Sequence, residues 1–259
     1  MNDDLTVIKV GTGVLTKAGA GTLDGASLVR LATNLAGLIE QGERLLFVSS
    51  GAVGGGVATF GLDGYPTDIA TRQACAAVGQ TRLMAAYENV FRNFEIAVAQ
   101  LLLTADDLHI GQRRVLVLAT LQRLLAEGRI LPIINENDSV AVEELKFGDN
   151  DMLSVRVAEL VGAKRLILLT SVDGLLDPAT GRTIPMVDDL AAAAKLVNDG
   201  KGRFSIGGMG TKLAAVGRAV AAGIETIIAN GRRPEQLAEI IAGGGTATRF
   251  TAGSSGQQP

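Results

Sequence analysis

Two lysines occupy places that call for explanation. Lys9 interrupts the apolar run Val7-Ile8-Lys9-Val10, and Lys212 follows the glycine cluster Ser205-Ile206-Gly207-Gly208-Met209-Gly210-Thr211. A charge inside an apolar strand is costly unless something answers it. A lysine at the start of a helical segment, after a glycine-rich loop, stands where backbone N–H groups gather and phosphate is favoured. Two cations aimed at one phosphoryl group would stabilise the charge of its transition state. Acidic and amide clusters stand beside them in the chain. Ile134-Asn135-Glu136-Asn137-Asp138 closes a buried run with polar residues, and Gly148-Asp149-Asn150-Asp151 opens a helical one. Asp and Asn also suit helix N-caps, but capping does not require both clusters.

Other chemistries are poorly provided for. The one histidine, His109, has no nucleophile-elbow sequence to serve, so a surface position is expected for it. No H-E-x-x-H or comparable metal motif occurs, and the single cysteine, Cys75, excludes an internal disulfide and a cysteine-built zinc site. The glycine-rich stretches Lys9-Val10-Gly11-Thr12-Gly13 and Ser49 to Gly56 are neither Walker A loops nor dinucleotide fingerprints. Arg113-Arg114 and Arg232-Arg233 are isolated pairs in a chain of net charge −3, so no nucleic acid partner is expected. No signal peptide or membrane-spanning run is visible, and a cytoplasmic location is expected.

The elements that must position these groups read as alternating strands and helices. Six short apolar runs, at Val7–Val10, Leu45–Val48, Ile96–Val98, Ile130–Ile134, Leu166–Leu169 and Thr226–Ile228, have the continuous character of strands buried on both faces of a parallel sheet. Leu28, Leu31, Ala32, Leu35, Leu38 and Ile39 keep helical spacing, and Gly42 ends that helix. With 47% hydrophobic residues but 3% aromatics, the core must be aliphatic. The fold class is α/β, a three-layer α/β/α sandwich with a mainly parallel central sheet. One domain is expected over residues 1–250, with a softer boundary near 165 separating lobes at 1–164 and 165–250. The small polar tail, 251–259, is expected to be disordered.

In order and spacing, Lys9-Val10-Gly11-Thr12, Ser50-Gly51-Ala52, Ala77-Val78-Gly79-Gln80, Ile134 to Asp138, Gly148 to Asp151 and Gly207-Gly208-Met209-x-Thr211-Lys212 resemble the amino acid kinase family. The I-N-E-N-D and G-D-N-D pair is similar to its glutamate 5-kinase branch. The likeness runs from about Val7 to Phe250 and implies the amino acid kinase fold. It also implies ATP-dependent phosphorylation of the glutamate side-chain carboxylate, the first step of proline biosynthesis. By position, Lys9 and Lys212 would contact the phosphates and the transferring group, with Asp151 holding both lysines. Ser50, Asp138 and Asn150 would bind L-glutamate. Lys9, Gly11, Thr170, Ser171, Ile206, Gly207, Gly208, Met209, Gly210, Thr211 and Lys212 would line the ATP site. Mg²⁺ would be carried by the ATP phosphates, with no protein side chain as metal ligand.

The resemblance also implies a homo-oligomer and inhibition by proline. Its departures lie on the nucleotide side: Ser171 where Asp is common, Ser205-Ile206 where Gly-Thr is common, and Gly13 where Ser is usual. Many relatives carry a C-terminal PUA domain, and none is expected within residues 1–259. The alternatives are a family kinase for another acceptor, such as N-acetylglutamate or UMP, and a non-catalytic ligand sensor on the same fold.

Overall fold

The computed structural model describes residues 4–17, 22–140, 150–199 and 209–251. Strand β1 (Leu5–Val10) is buried along its whole length. It pairs in parallel with β2 (Arg44–Val48) on one side and β5 (Arg165–Thr170) on the other. Outward from β2 come β4 (Ile130–Glu136) and the edge strand β3 (Ala97–Leu103), both parallel. Outward from β5 come parallel β7 (Glu225–Asn230), antiparallel β8 (Ala247–Phe250) and the two-residue β6 (Met186–Val187). The eight strands run β3-β4-β2-β1-β5-β7-β8-β6.

Each expected apolar run is a strand. The two strands that the sequence reading missed, β6 and β8, are short, and neither has a continuous apolar run; their sequences are Met186-Val187 and Ala247-Thr248-Arg249-Phe250. The pairing of β1 with β5 joins the strands before residue 165 to those after it in one sheet.

Alternation along the strands sends successive side chains to opposite layers. Val7, Leu46, Val48, Ile134, Leu166, Leu168 and Ile228 face α5 (Gln112–Leu125), α6 (Asn150–Val161) and α8 (Met209–Ala221). Ile8, Val10, Phe47, Ile133, Ile167, Leu169 and Ile227 face α1 (Thr12–Leu15), α2 (Gly25–Glu40), α4 (Ile69–Phe91) and α9 (Leu237–Ile241). Two largely aliphatic cores thus sandwich the sheet, and the second also holds the buried rings of Phe47, Tyr87 and Phe91. Between β2 and α4 lies the short α3 (Ala52–Val57), and α7 (Leu190–Asp199) precedes α8. The side chain of Asp24 caps α2 by accepting from the N–H groups of Ala26 and Ser27, and Gly42, at φ 92°, ends it as expected. No described helix is long and apolar enough to cross a membrane.

Candidate active site

Lys9 follows Val7 by two residues, so its side chain belongs to the α6 and α8 layer. Asp151 is the second residue of α6 and Lys212 the fourth of α8. The two lysines meet that one carboxylate. Lys9 Nζ lies 2.6 Å from Asp151 Oδ1, and Lys212 Nζ lies 2.8 Å from Oδ2. Lys9 and Asp151 are each 1% exposed and Lys212 is 8% exposed. Lys9 therefore does not escape to solvent at the end of its strand.

Burial by itself would raise the Asp151 carboxyl, but the two ammonium charges and their hydrogen bonds outweigh it and hold the group below the ordinary carboxylate range. These three groups together carry one net positive charge. A buried ion cluster is weak evidence of stability, because desolvation offsets much of the attraction. Its value here is geometric: a strand-borne and a helix-borne cation are each fixed on one oxygen of the same carboxylate. A Cβ added at Gly11 would make only ordinary contacts, 3.4 Å from the Leu169 carbonyl oxygen and 3.9 Å from Lys9 Nζ.

The first residue of α6, Asn150, reaches the other side of the crevice. Its Nδ2 donates to the Ser49 carbonyl at 2.7 Å, to Ser50 Oγ at 3.0 Å and to Asn135 Oδ1 at 2.7 Å. Asn135 in turn donates from Nδ2 to Gln80 Oε1 at 2.9 Å. The Ser49-Ser50 turn extends the β2–β4 ladder, with Ser49 N–H donating to the Ile134 carbonyl at 2.8 Å. Behind it, Ser49 Oγ and the buried Tyr87 hydroxyl share a hydrogen bond of 2.9 Å. Helix α3 can lie against α4 only because residue 79 is glycine: a Cβ there would be 1.7 Å from the Ala52 carbonyl oxygen.

Beyond this amide chain is a polar cavity of about 240 Å³, lined by residues including Gln80, Gln100, Glu136, Asn137 and Asp138. It can admit a small polar molecule. A more open hollow of about 610 Å³ between α2 and α4 is lined by residues such as Leu28, Val29, Ala86 and Val90, with no charged side chain.

Structure brings most of the expected residues to the carboxyl ends of the strands. Lys9 lies near the end of β1 and Gly11 just after it, Ser50 follows β2, Asp138 follows β4, Thr170 ends β5 and Ser171 follows it. Met209, Gly210, Thr211 and Lys212 form the first turn of α8. That helix starts three residues before Lys212, earlier than its glycines suggest. Ile206, Gly207 and Gly208, like Gly148 and Asp149, lie outside the described residues. His109 is exposed.

The sequence reading gave no role to Asn135 or Gln80, yet both belong to the buried amide chain. The signal was available for each. Asn135 is polar within a buried strand, and Gln80 continues the buried stripe Cys75, Ala76, Gly79 of α4.

Comparison with known proteins bears on the family and the fold. Residues 4–230 match the profile of the amino acid kinase family. A glutamate 5-kinase of Nostoc punctiforme is 45% identical over 250 residues, 94% of this chain and 68% of that protein. One of Geobacter sulfurreducens is 44% identical over 253 residues, 95% of this chain and 67% of that protein. The chain thus spans about two thirds of the length of these relatives. Among solved structures, carbamate kinase from Giardia lamblia bound to AMP-PNP superposes with a TM-score of 0.68 at 17% identity. That match covers 97% of this chain and 99% of that one. An isopentenyl phosphate kinase substrate complex gives 0.66 at 17% identity, over 95% and 99% of the two chains. At such identity these two likenesses speak for the fold alone.

Proposed function

The chain belongs to the amino acid kinase family and, within it, to the glutamate 5-kinases, and from that premise we propose how its site carries out the reaction. The reaction is transfer of the γ-phosphoryl group of ATP to the side-chain carboxylate of L-glutamate, giving L-glutamyl 5-phosphate and ADP, the first step of proline biosynthesis. The observation that supports this site assignment best is the meeting of Lys9 and Lys212 on Asp151, next to a polar cavity.

The acceptor carboxylate is already ionised near neutral pH, with an ordinary pKa of about 4.3, so no general base is required. The exposed His109 is consistent with that. What the protein must supply is alignment and charge neutralisation. Lys9 and Lys212 bind the phosphate oxygens and neutralise charge that develops on the transferring group. Asp151 holds the two ammonium groups at a fixed separation. Ser50, Asn150 and Asp138 bind glutamate, with the Asp138 carboxylate taking its ammonium group. Gly11, Thr170, Ser171 and residues 209–212 border the nucleotide; apart from Lys9 and Gly11, the nucleotide contacts fall in residues 165–250, the nucleotide lobe, and the glutamate contacts in 1–164, the substrate lobe. Asp151 is engaged by two lysines, and among the described residues no group of three potential ligand side chains gathers. Mg²⁺ would enter with ATP, held by its phosphates, and would supply charge neutralisation on the nucleotide.

The enzyme works in the cytoplasm, is inhibited by proline and assembles with copies of itself. Assembly is supported by the uncharged edge strand β3 and by the fully exposed Ile110 beside exposed Val115 and Leu116 of α5. The test of function is Mg²⁺-dependent ADP release with glutamate, N-acetylglutamate, aspartate or UMP as acceptor, with hydroxylamine present to trap an acyl phosphate. Hydroxamate formed only with glutamate is expected. Turnover with a different acceptor would overturn the substrate assignment.

A further inference from the structure

The turns after β1, β5 and β7 are tied together by side chains for which the phosphoryl-transfer chemistry has no use. Asn230, the last residue of β7, works in two directions. Its Oδ1 accepts from the Arg232 N–H at 2.9 Å, and its Nδ2 donates to Asp173 Oδ1 at 2.7 Å. Arg233 donates from Nη2 to that same Asp173 oxygen. Arg232 reaches across the sheet, donating from Nη2 to the Gly13 carbonyl at 3.0 Å. Backbone bonds continue the ladder past the strands: Gly11 N–H donates to the Leu169 carbonyl at 2.9 Å, and Gly231 N–H to that of Thr170 at 2.8 Å. The fit is close, for a Cβ on Gly231 would lie 2.9 Å from both methyl groups of Val14. On its far side the β5 turn is anchored as well, with Leu175 N–H donating to Thr248 Oγ1 at 2.8 Å.

The fold does not require the Asp173 cluster for its core. The side chains of Asp173 and Arg233 are 33% and 40% exposed, and ion pairs so open to solvent contribute little to stability. Their location is the informative part. They stand at the carboxyl ends of neighbouring parallel strands, the edge at which open α/β sheets bind ligands. Asp173 is held ionised by its bonds from Arg233 and Asn230, which keep its carboxyl below the ordinary range.

We infer that Asp173, held by Asn230 and Arg233, is a positioning residue for the nucleotide: together with the Arg232–Gly13 tie it fixes the spacing between the Thr170-Ser171 turn and the Gly11–Gly13 turn. Ser171 lies between Thr170 and this anchor, so the anchor governs the wall that the nucleotide meets. The inference rests on the assignment of Thr170 and Ser171 to the ATP site.

The experiment is steady-state kinetics on the full chain carrying Asp173→Ala, with ATP and glutamate varied separately and melting temperature measured beside them. Loss of a charge-assisted anchor predicts an ATP KM raised about tenfold, with glutamate KM and melting temperature nearly unchanged. The exchange Asp173→Arg with Arg233→Asp should recover part of the ATP affinity that each single change loses. An unchanged ATP KM overturns the inference. So does a rise in both KM values together with a large fall in melting temperature, which marks a scaffold role. If Asp173→Ala does not fold, the isosteric Asp173→Asn is measured instead, and an unaltered ATP KM there is equally fatal. If the unmodified chain transfers nothing from ATP to glutamate, the functional assignment fails separately. Calorimetric binding of AMP-PNP to both forms then decides the inference, and equal affinities overturn it.

Discussion

Replacing Asp151 by Asn keeps the volume of the side chain and removes the charge that two buried ammonium groups share. Lys9 and Lys212 are 1% and 8% exposed, so solvent cannot take the place of the lost carboxylate. Removing one partner from a buried ion cluster costs about 3–5 kcal/mol, chiefly through the charges left behind. At about 2–4 °C per kcal/mol for a chain of this class, the melting temperature should fall by roughly 6–20 °C. A second substitution gives the argument a sign that ordinary packing damage would not reproduce. Lys212→Met should destabilise the unmodified protein but stabilise the Asp151→Asn variant, because there it removes a cation that has lost its carboxylate. The assay is thermal or urea unfolding of the four proteins in the cycle. A melting temperature for Asp151→Asn within about 2 °C of the unmodified protein, or a Lys212→Met effect of the same sign in both backgrounds, would refute the electrostatic account.

Lys212→Ala should leave a folded protein whose kcat has fallen by about 10²–10³, as read by ADP release; undiminished turnover would remove Lys212 from the chemistry. Asp138→Ala should raise the KM for glutamate at least tenfold, roughly the worth of one charged hydrogen bond, without changing that for ATP. A change confined to ATP would reverse the division of the crevice. Acid should weaken the Asp151 contribution in a definite window. Since the folded carboxyl lies below its ordinary value, its stabilisation is complete above about pH 4 and is lost as pH falls through the lower folded value. The stability gap between the unmodified chain and Asp151→Asn, measured by urea unfolding, should accordingly be flat from pH 5 to 8 and narrow below pH 4. Narrowing near pH 6–7 would point to another group.

What the sequence disclosed about this molecule followed the strength of each physical signal. Buried parallel strands need apolar residues on both faces, so β1, β2, β4, β5 and β7 stand out as unbroken runs. Lys9 was conspicuous because it broke such a run, and the Ile134–Asp138 cluster because it ended one. Strands β6 and β8 have no comparable signal: Met186-Val187 is too short for any period, and Arg249 turns its charge to Glu225 at 3.1 Å. The start of α8 was obscured by Gly210, a poor helix former in its first turn.

Pairings distant in sequence were the least legible. Composition cannot say that Lys9, Asp151 and Lys212 converge; family likeness suggested it, and the alternating faces of β1 account for it. The Asp173–Arg233 contact had neither source. Asp173 reads as a turn residue before Gly174, and Arg233 as half of a surface pair.

The central place of β1 has a consequence for how the chain becomes an enzyme. Strand β1 is enclosed between two neighbours, and one of them, β5, pairs Thr6 with Arg165. During folding that edge of β1 must wait for a partner far along the chain before this half of the sheet can close. Such non-local pairing slows folding and lengthens the exposure of apolar strand edges. Lys9 meets Asp151 and Lys212 only when both flanks of the sheet have formed. The proposed phosphate site is thus completed late, and its recovery during refolding would report the closing of the whole sheet rather than the formation of any one part.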